Sequence, residues 1–228
     1  EGSTVSIEVY RPSEDKYLTF EVERKTIEIP MVTSKMLDNN IGYVAVYEFE
    51  ETTSDQFNQA IDELTAQGMK GLIIDLRDNP GGLVNSATAI LDRILSKDQL
   101  LVYTVDKNGK KQEEYTEDDE TINVPISVLI NGNSASASEI VSGCLQDYGK
   151  AKLVGTTSFG KGIVQYVLPL GDGSAIKLTS AKYYTPNGRN IHGTGIDPDV
   201  EVELNSDSET DTQLEKAQEI VLQEIQAE

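Results

Sequence analysis

The chain has 228 residues, 38% hydrophobic and 25% charged, an ordinary globular composition that excludes wholesale disorder or a fibre and fits one or two domains. Nineteen Lys and Arg against 39 Asp and Glu give a formal net charge of −20, which argues against nucleic-acid backbone binding and against adhesion to anionic lipid. One cysteine (Cys144) excludes an internal disulfide framework, one histidine (His192) leaves little room for histidine-based zinc or triad chemistry, and no apolar run is long enough to span a bilayer.

The sequence opens Glu-Gly-Ser with no apolar leader and reads as a fragment of something longer. Residues 4–12 and 18–29 alternate apolar with polar side chains around a polar turn at 13–16, which predicts a β-hairpin. Two strands alone are marginal, so this hairpin is expected to belong to a larger module. A bridging stretch over 30–40 leads to a strand at 41–46. Thr53 and Gln56 fit a capping box opening a helix through Phe57, Ala60, Ile61 and Leu64, stopped at Gly68. A buried-type strand at 71–76, a helix at 83–95 and a hairpin over 101–115 turning at Asn108-Gly109 follow. Then come a buried-type strand at 124–130, a helix at 137–146 and strands at 152–155, 163–168 and 175–184. Strand, helix, strand, helix, strand is an α/β order with part of the sheet parallel. Residues 205–228 carry an acidic amphipathic helix, with Leu214, Ala217, Val221, Leu222 and Ile225 at helical spacing.

Three segments could carry chemistry. In Asp75-Leu76-Arg77-Asp78-Asn79-Pro80-Gly81-Gly82 a buried strand runs into a Pro-Gly-Gly turn before a helix, so backbone N–H groups can converge on an oxyanion; taken alone, the segment reads first as a tight strand-to-helix turn. In Asn131-Gly132-Asn133-Ser134-Ala135-Ser136-Ala137-Ser138-Glu139 a serine sits between a buried strand and a helix start, where nucleophilic serines are placed; Ser136 and Glu139 also satisfy a capping box. A serine needs a base. Lys161, in Ser158-Phe159-Gly160-Lys161-Gly162-Ile163-Val164-Gln165, suits that role better than His192, because burial among glycines and apolar neighbours would disfavour its ammonium. Residues 121–196 hold six basic and three acidic residues, a carboxylate-poor setting in keeping with a lysine base. In isolation Lys161 and His192 each read first as surface side chains.

Together these segments, with the YYTPNGR…GTGIDPD ending, resemble the C-terminal processing peptidases (tail-specific proteases), serine peptidases with a Ser/Lys dyad, over residues 5–204. The resemblance implies Ser136 as nucleophile, Lys161 as general base and Gln165 as the residue that orients the lysine. Ala137 and Gly82 would supply the oxyanion-hole amides, with Gly81 the close rival of Gly82. It implies an α/β, ClpP/crotonase-like core with added β elements over 31–204. Residues 1–30 would be the last strands of a PDZ domain, most of which is absent. Extended polypeptide substrates, no metal or organic cofactor and an extracytoplasmic location follow from it, and a homo-oligomer is left open. Three rival readings remain: an inactive or gated peptidase core, a crotonase-like acyl-CoA enzyme, and a peptide-binding module without catalysis.

Overall fold

The computed structural model describes residues 1–27, 29–119, 121–204 and 210–227. It divides into two compact units, Glu1–Pro30 and Met31–Glu228.

The first unit is one antiparallel hairpin of β1 (Thr4–Arg11) and β2 (Lys16–Glu23). The turn contains Asp15 in the left-handed region, a conformation that Asp tolerates better than most residues. Cross-strand pairing brings Val5 and Val22, Ile7 and Phe20, and Val9 and Leu18 face to face, so one side of the ribbon is apolar and uncovered within this unit. The second strand ends at Glu23, short of the expected 29; Glu28 lies outside the described residues.

The second unit is built on a six-stranded sheet in the order β12-β9-β8-β5-β4-β3. These strands are β3 (Val32–Met36), β4 (Ile41–Val46), β5 (Gly71–Asp75), β8 (Ile126–Ile130), β9 (Ala151–Gly155) and β12 (Val200–Glu201). All pairings are parallel except β3 with β4. Strand alternation sends Val44, Val46, Leu72, Ile74, Val128 and Ile130 to one face. There they meet α1 (Thr53–Ala66), α2 (Val84–Ile94) and α3 (Ala137–Asp147). Ile41, Ile73, Leu129 and Val154 go to the other face, where Ala217 and Val221 of α4 (Thr212–Ala227) cover them. The result is a three-layer α/β/α arrangement, which explains why the central strands are apolar on both faces. Residues 205–209 and 228 of the expected acidic tail lie outside the described residues.

A second, antiparallel sheet has the order β10-β11-β6-β7, from β6 (Leu100–Asp106), β7 (Lys111–Tyr115), β10 (Ile163–Pro169) and β11 (Ala175–Tyr184). Among the described residues no helix is long and apolar enough to cross a membrane.

Two local expectations fail. The bridge over 30–40 contains β3, an edge strand whose polar Thr33, Ser34 and Lys35 hide the strand pattern. The Thr53/Gln56 capping box does not form. Thr53 Oγ1 donates to the Glu48 carbonyl and accepts from Glu50 N–H, while Gln56 Oε1 accepts the N–H groups of Met31 and Val32. Gln56 is thus spent on anchoring the entry to β3.

Candidate active site

The C-terminal ends of β5 and β8 lie side by side, and the two Gly- and Ser-rich segments leave the sheet there. In open α/β sheets that edge is where ligands bind. Asn79, fully buried, joins the two segments. Its Nδ2 donates to the Val46 carbonyl (2.7 Å) and its Oδ1 accepts Gly81 N–H (2.8 Å). Its carbonyl accepts Ala135 N–H (3.0 Å) and Ser138 Oγ–H (3.0 Å). Ser134, equally buried, donates to the Leu76 carbonyl at 2.7 Å.

The Pro-Gly-Gly turn is packed too tightly for side chains. A Cβ on Gly81 would fall 2.7 Å from Ser136 Cβ, and one on Gly82 would fall 2.2 Å from the Phe49 carbonyl oxygen. Gly82 forms an isolated parallel bridge with Phe49, in which Phe49 N–H donates to the Gly81 carbonyl and Leu83 N–H to the Phe49 carbonyl. That pattern uses the groups flanking Gly82 and leaves its own N–H without a partner among the described residues. Gly81 N–H is already committed to Asn79. Ala137, the first residue of α3, likewise has an N–H with no partner among the described residues, as helix starts do.

Ser136 precedes α3 at φ 56°, ψ −113°, a positive φ that a residue with a side chain adopts only at an energetic cost. Its N–H donates to Glu139 Oε2 (2.8 Å), the return half of a capping box. Glu139 does more than cap. Its fully buried carboxylate also accepts Lys161 N–H on Oε2 (2.8 Å), and Gly160 N–H (2.7 Å) and Ser158 Oγ–H (2.6 Å) on Oε1. One carboxylate therefore holds the serine and lysine segments together.

Ser136, Lys161, Gln165 and Gly82 line one cavity of about 350 Å³, with Gly81, Glu48, Lys177 and Tyr183 in the same wall. Among the described residues Ser136 Oγ, Lys161 Nζ and Gln165 do not hydrogen-bond one another; Gln165 Nε2 donates instead to Thr179 Oγ1 at 3.2 Å. His192 is exposed and outside this cavity, its backbone packed on Gly162. The expected carboxylate-poor setting is corrected, because Glu48 lines the cavity and Glu139 touches the lysine's backbone. A larger depression of about 840 Å³ lies between the end of α3 and residues 187–199, away from these groups. Its charged side chains are largely paired with one another or with backbone groups, as in Arg189 with Asp147 and Asp199 with Leu153 N–H.

A sequence profile described as peptidase family S41 matches residues 40–202. The chain belongs to this family. It is 41% identical over 206 residues to a carboxy-terminal processing protease, CtpB, of Bacillus subtilis (strain 168), covering 88% of this chain and 42% of that protein. It is 36% identical over 232 residues to a carboxyl-terminal-processing protease of Picosynechococcus sp., covering 98% of this chain and 56% of that one. Among solved structures, the photosystem II D1 C-terminal processing protease superposes with a TM-score of 0.70 at 30% identity, over 96% of this chain and 60% of the other. The chain thus spans about half the length of these relatives. S41 proteins are serine peptidases, and the mixed α/β architecture described above is an S41 peptidase fold.

Within this S41 protein, three residues at the site have roles that their sequence positions do not reveal. Asn79 is one letter of a turn motif, and only its burial shows that it joins two loops. Glu139 reads as a cap, and its bonds to 158–161 depend on a segment about twenty residues away. Tyr183 reads as one apolar position in a strand. Its hydroxyl lies 2.6 Å from the Lys161 carbonyl and 3.0 Å from that of Ser136.

Proposed function

We propose that this protein is the core of a serine endopeptidase of the C-terminal processing type, in which Ser136 is the nucleophile and Lys161 the general base. The observation that carries this reading is the meeting of Ser136, Lys161, Gln165 and Gly82 in one cavity, beside two amides, Gly82 and Ala137, whose N–H groups are uncommitted among the described residues. Lys161, acting as general base, takes the Ser136 hydroxyl proton as Oγ bonds to the peptide carbonyl carbon. The Gly82 and Ala137 amides stabilise the oxyanion that forms. Breakage of the C–N bond then takes the proton from Lys161 to the leaving amine. Water, deprotonated by Lys161, attacks the acyl-enzyme, and Ser136 recovers its proton as the new carboxylate leaves. No step calls on a metal or an organic cofactor. The commitment of Gly81 N–H to Asn79 favours Gly82 over Gly81 as the second oxyanion donor.

Gln165 orients the lysine in this mechanism. Its present bond to Thr179 favours a second reading as well, a gated core in which Gln165 must leave Thr179 for the dyad to engage. Substrates are polypeptides bound in extended form, with backbone pairing for affinity and side-chain pockets for preference. The architecture is taken as ClpP/crotonase-like, since the parallel sheet delivers its reactive loops at one edge. The apolar face of β1 and β2, uncovered within their own unit, supports reading residues 1–30 as strands of a PDZ domain. Residues 31–204 are read as the catalytic core and 205–228, within which Thr212–Ala227 form α4, as its acidic C-terminal segment. The family resemblance alone supports an extracytoplasmic site of action.

The test compares cleavage of an unstructured, apolar-tailed peptide by the parent protein, Ser136→Ala and Lys161→Ala. Both variants are expected to lose at least about a thousandfold in kcat, the scale seen when members of a nucleophile–base unit are removed. His192→Ala should keep parent activity. Cleavage persisting in both dyad variants overturns the mechanism.

A further inference from the structure

Ser136 and Lys161 come from different parts of the fold. One opens α3 above the six-stranded sheet, and the other enters β10 of the antiparallel sheet. Nothing in local secondary structure fixes their separation, yet a serine–lysine pair works only within a few tenths of an ångström of hydrogen-bonding geometry. Two side chains span the gap. Glu139 Oε2 accepts the backbone N–H of both residues, each at 2.8 Å. Tyr183 Oη lies against the backbone carbonyl oxygens of both, at 3.0 Å and 2.6 Å. Each dyad residue is therefore gripped at its N–H by one carboxylate and at its carbonyl by one phenol.

We propose that Tyr183 is a positioning residue for catalysis, whose hydroxyl acts with Glu139 as a clamp that sets the distance between the Ser136 and Lys161 backbones. The inference rests on the Ser136/Lys161 mechanism proposed above. Tyr183 is 2% exposed and its ring is fixed in the core. Its own N–H donates to the Gly162 carbonyl and its carbonyl accepts from Asn190 Nδ2, so the phenol projects from a backbone tied on both sides. A phenol carries one proton. The shorter contact, to the Lys161 carbonyl, makes that the principal bond, and the Ser136 carbonyl shares the same hydrogen. Burial, reinforced by the negative charge of Glu139, holds the phenol far above the ordinary tyrosine range, so it remains a donor at every pH where the protein works. Tyr183 acts through the other two residues and need not touch the scissile bond.

Tyr183→Phe preserves the ring and its packing and removes only the donor. Its predicted signature is a kcat lowered about 10- to 100-fold, the scale expected for a misplacement of about an ångström, with KM within about twofold of the parent. Glu139→Asp shortens the other jaw while keeping its charge and should show the same split. Tyr184→Phe, pointing to the opposite strand face where it stacks on Tyr103, is the packing control and should match the parent. All variants are assayed below the onset of their own melting, so that kcat is read on folded protein. A parent-like kcat in Tyr183→Phe, with Ser136→Ala and Lys161→Ala inactive, overturns the role of the Tyr183 hydroxyl whatever Glu139→Asp shows, and leaves the dyad standing. Activity in the dyad variants themselves overturns the mechanism on which the clamp rests.

Discussion

Ser136 carries a backbone cost that its neighbours impose. Glu139 holds its N–H, the Tyr183 hydroxyl and the first turn of α3 hold its carbonyl, and the backbone between these anchors turns through φ 56°. Residues in such regions cost about 1–3 kcal/mol and are retained where the fold over-determines them. Glycine adopts this conformation freely. Ser136→Gly is therefore expected to be inactive yet to melt about 2–4 °C above Ser136→Ala, as differential scanning calorimetry would show, corresponding to about 1 kcal/mol for a domain of this size. Equal melting points would mean that the turn stores no strain. At this scale the sequence is informative about groups that stand in short motifs: Ser136, Lys161 and the paired glycines. It is silent about Asn79 and Tyr183, because a buried asparagine joining two loops and a strand tyrosine bridging two carbonyls are created by tertiary placement and leave no local pattern.

Among the elements, α4 is tied to the Pro-Gly-Gly loop by a partly buried charge network. Arg77 makes a bidentate pair with Asp75 and another with Asp211, and Asp75 also accepts from Tyr43 Oη. Removing Arg77 would leave Asp75, with its side chain only 8% exposed, as an uncompensated charge. Arg77→Ala should cost about 3 kcal/mol and lower the melting temperature by roughly 6–12 °C; an unchanged melting curve would show that the pair adds nothing. The same network sets an acid limit. Desolvation pushes the Asp211 carboxyl up, but the hydrogen bonds from Arg77 and from Leu214 N–H outweigh it, so its folded pKa lies below the ordinary 3.8. A depressed carboxylate contributes stability that is full above 3.8 and disappears as pH falls through the lower folded value. Asp211→Asn should therefore flatten the loss of stability below about pH 4, measured by denaturant midpoint against pH. The strongly periodic helices and apolar strands are legible in the sequence because their burial patterns are local. The edge strand β3 is not, because its polar surface looks like a loop until Gln56 and β4 supply its partners.

For the whole molecule, the −20 charge is uneven. Eleven carboxylates and one lysine fall after Ile196, whereas the stretch carrying Ser136 and Lys161 is net basic. Charge along the sequence does not translate into charge around the site, since Glu139 and Glu48 arrive beside the lysine through the fold. The core offers a global reporter. Cys144 is fully buried in α3, and desolvation, with a smaller push from the charge of Asp147, raises its thiol well above the usual range. Its reaction with a thiol reagent should proceed only through unfolding and follow the denaturation curve; fast labelling of native protein would indicate that α3 opens locally.

The assignment of Ser136 and Lys161 is the claim on which the rest depends, and a fluorophosphonate that reacts with activated serines tests it most directly. Mass-spectrometric peptide mapping of the treated parent protein should find a single adduct on Ser136, and Lys161→Ala should suppress it at least about a hundredfold. An adduct on another serine, or undiminished labelling of Ser136 without Lys161, would contradict the account.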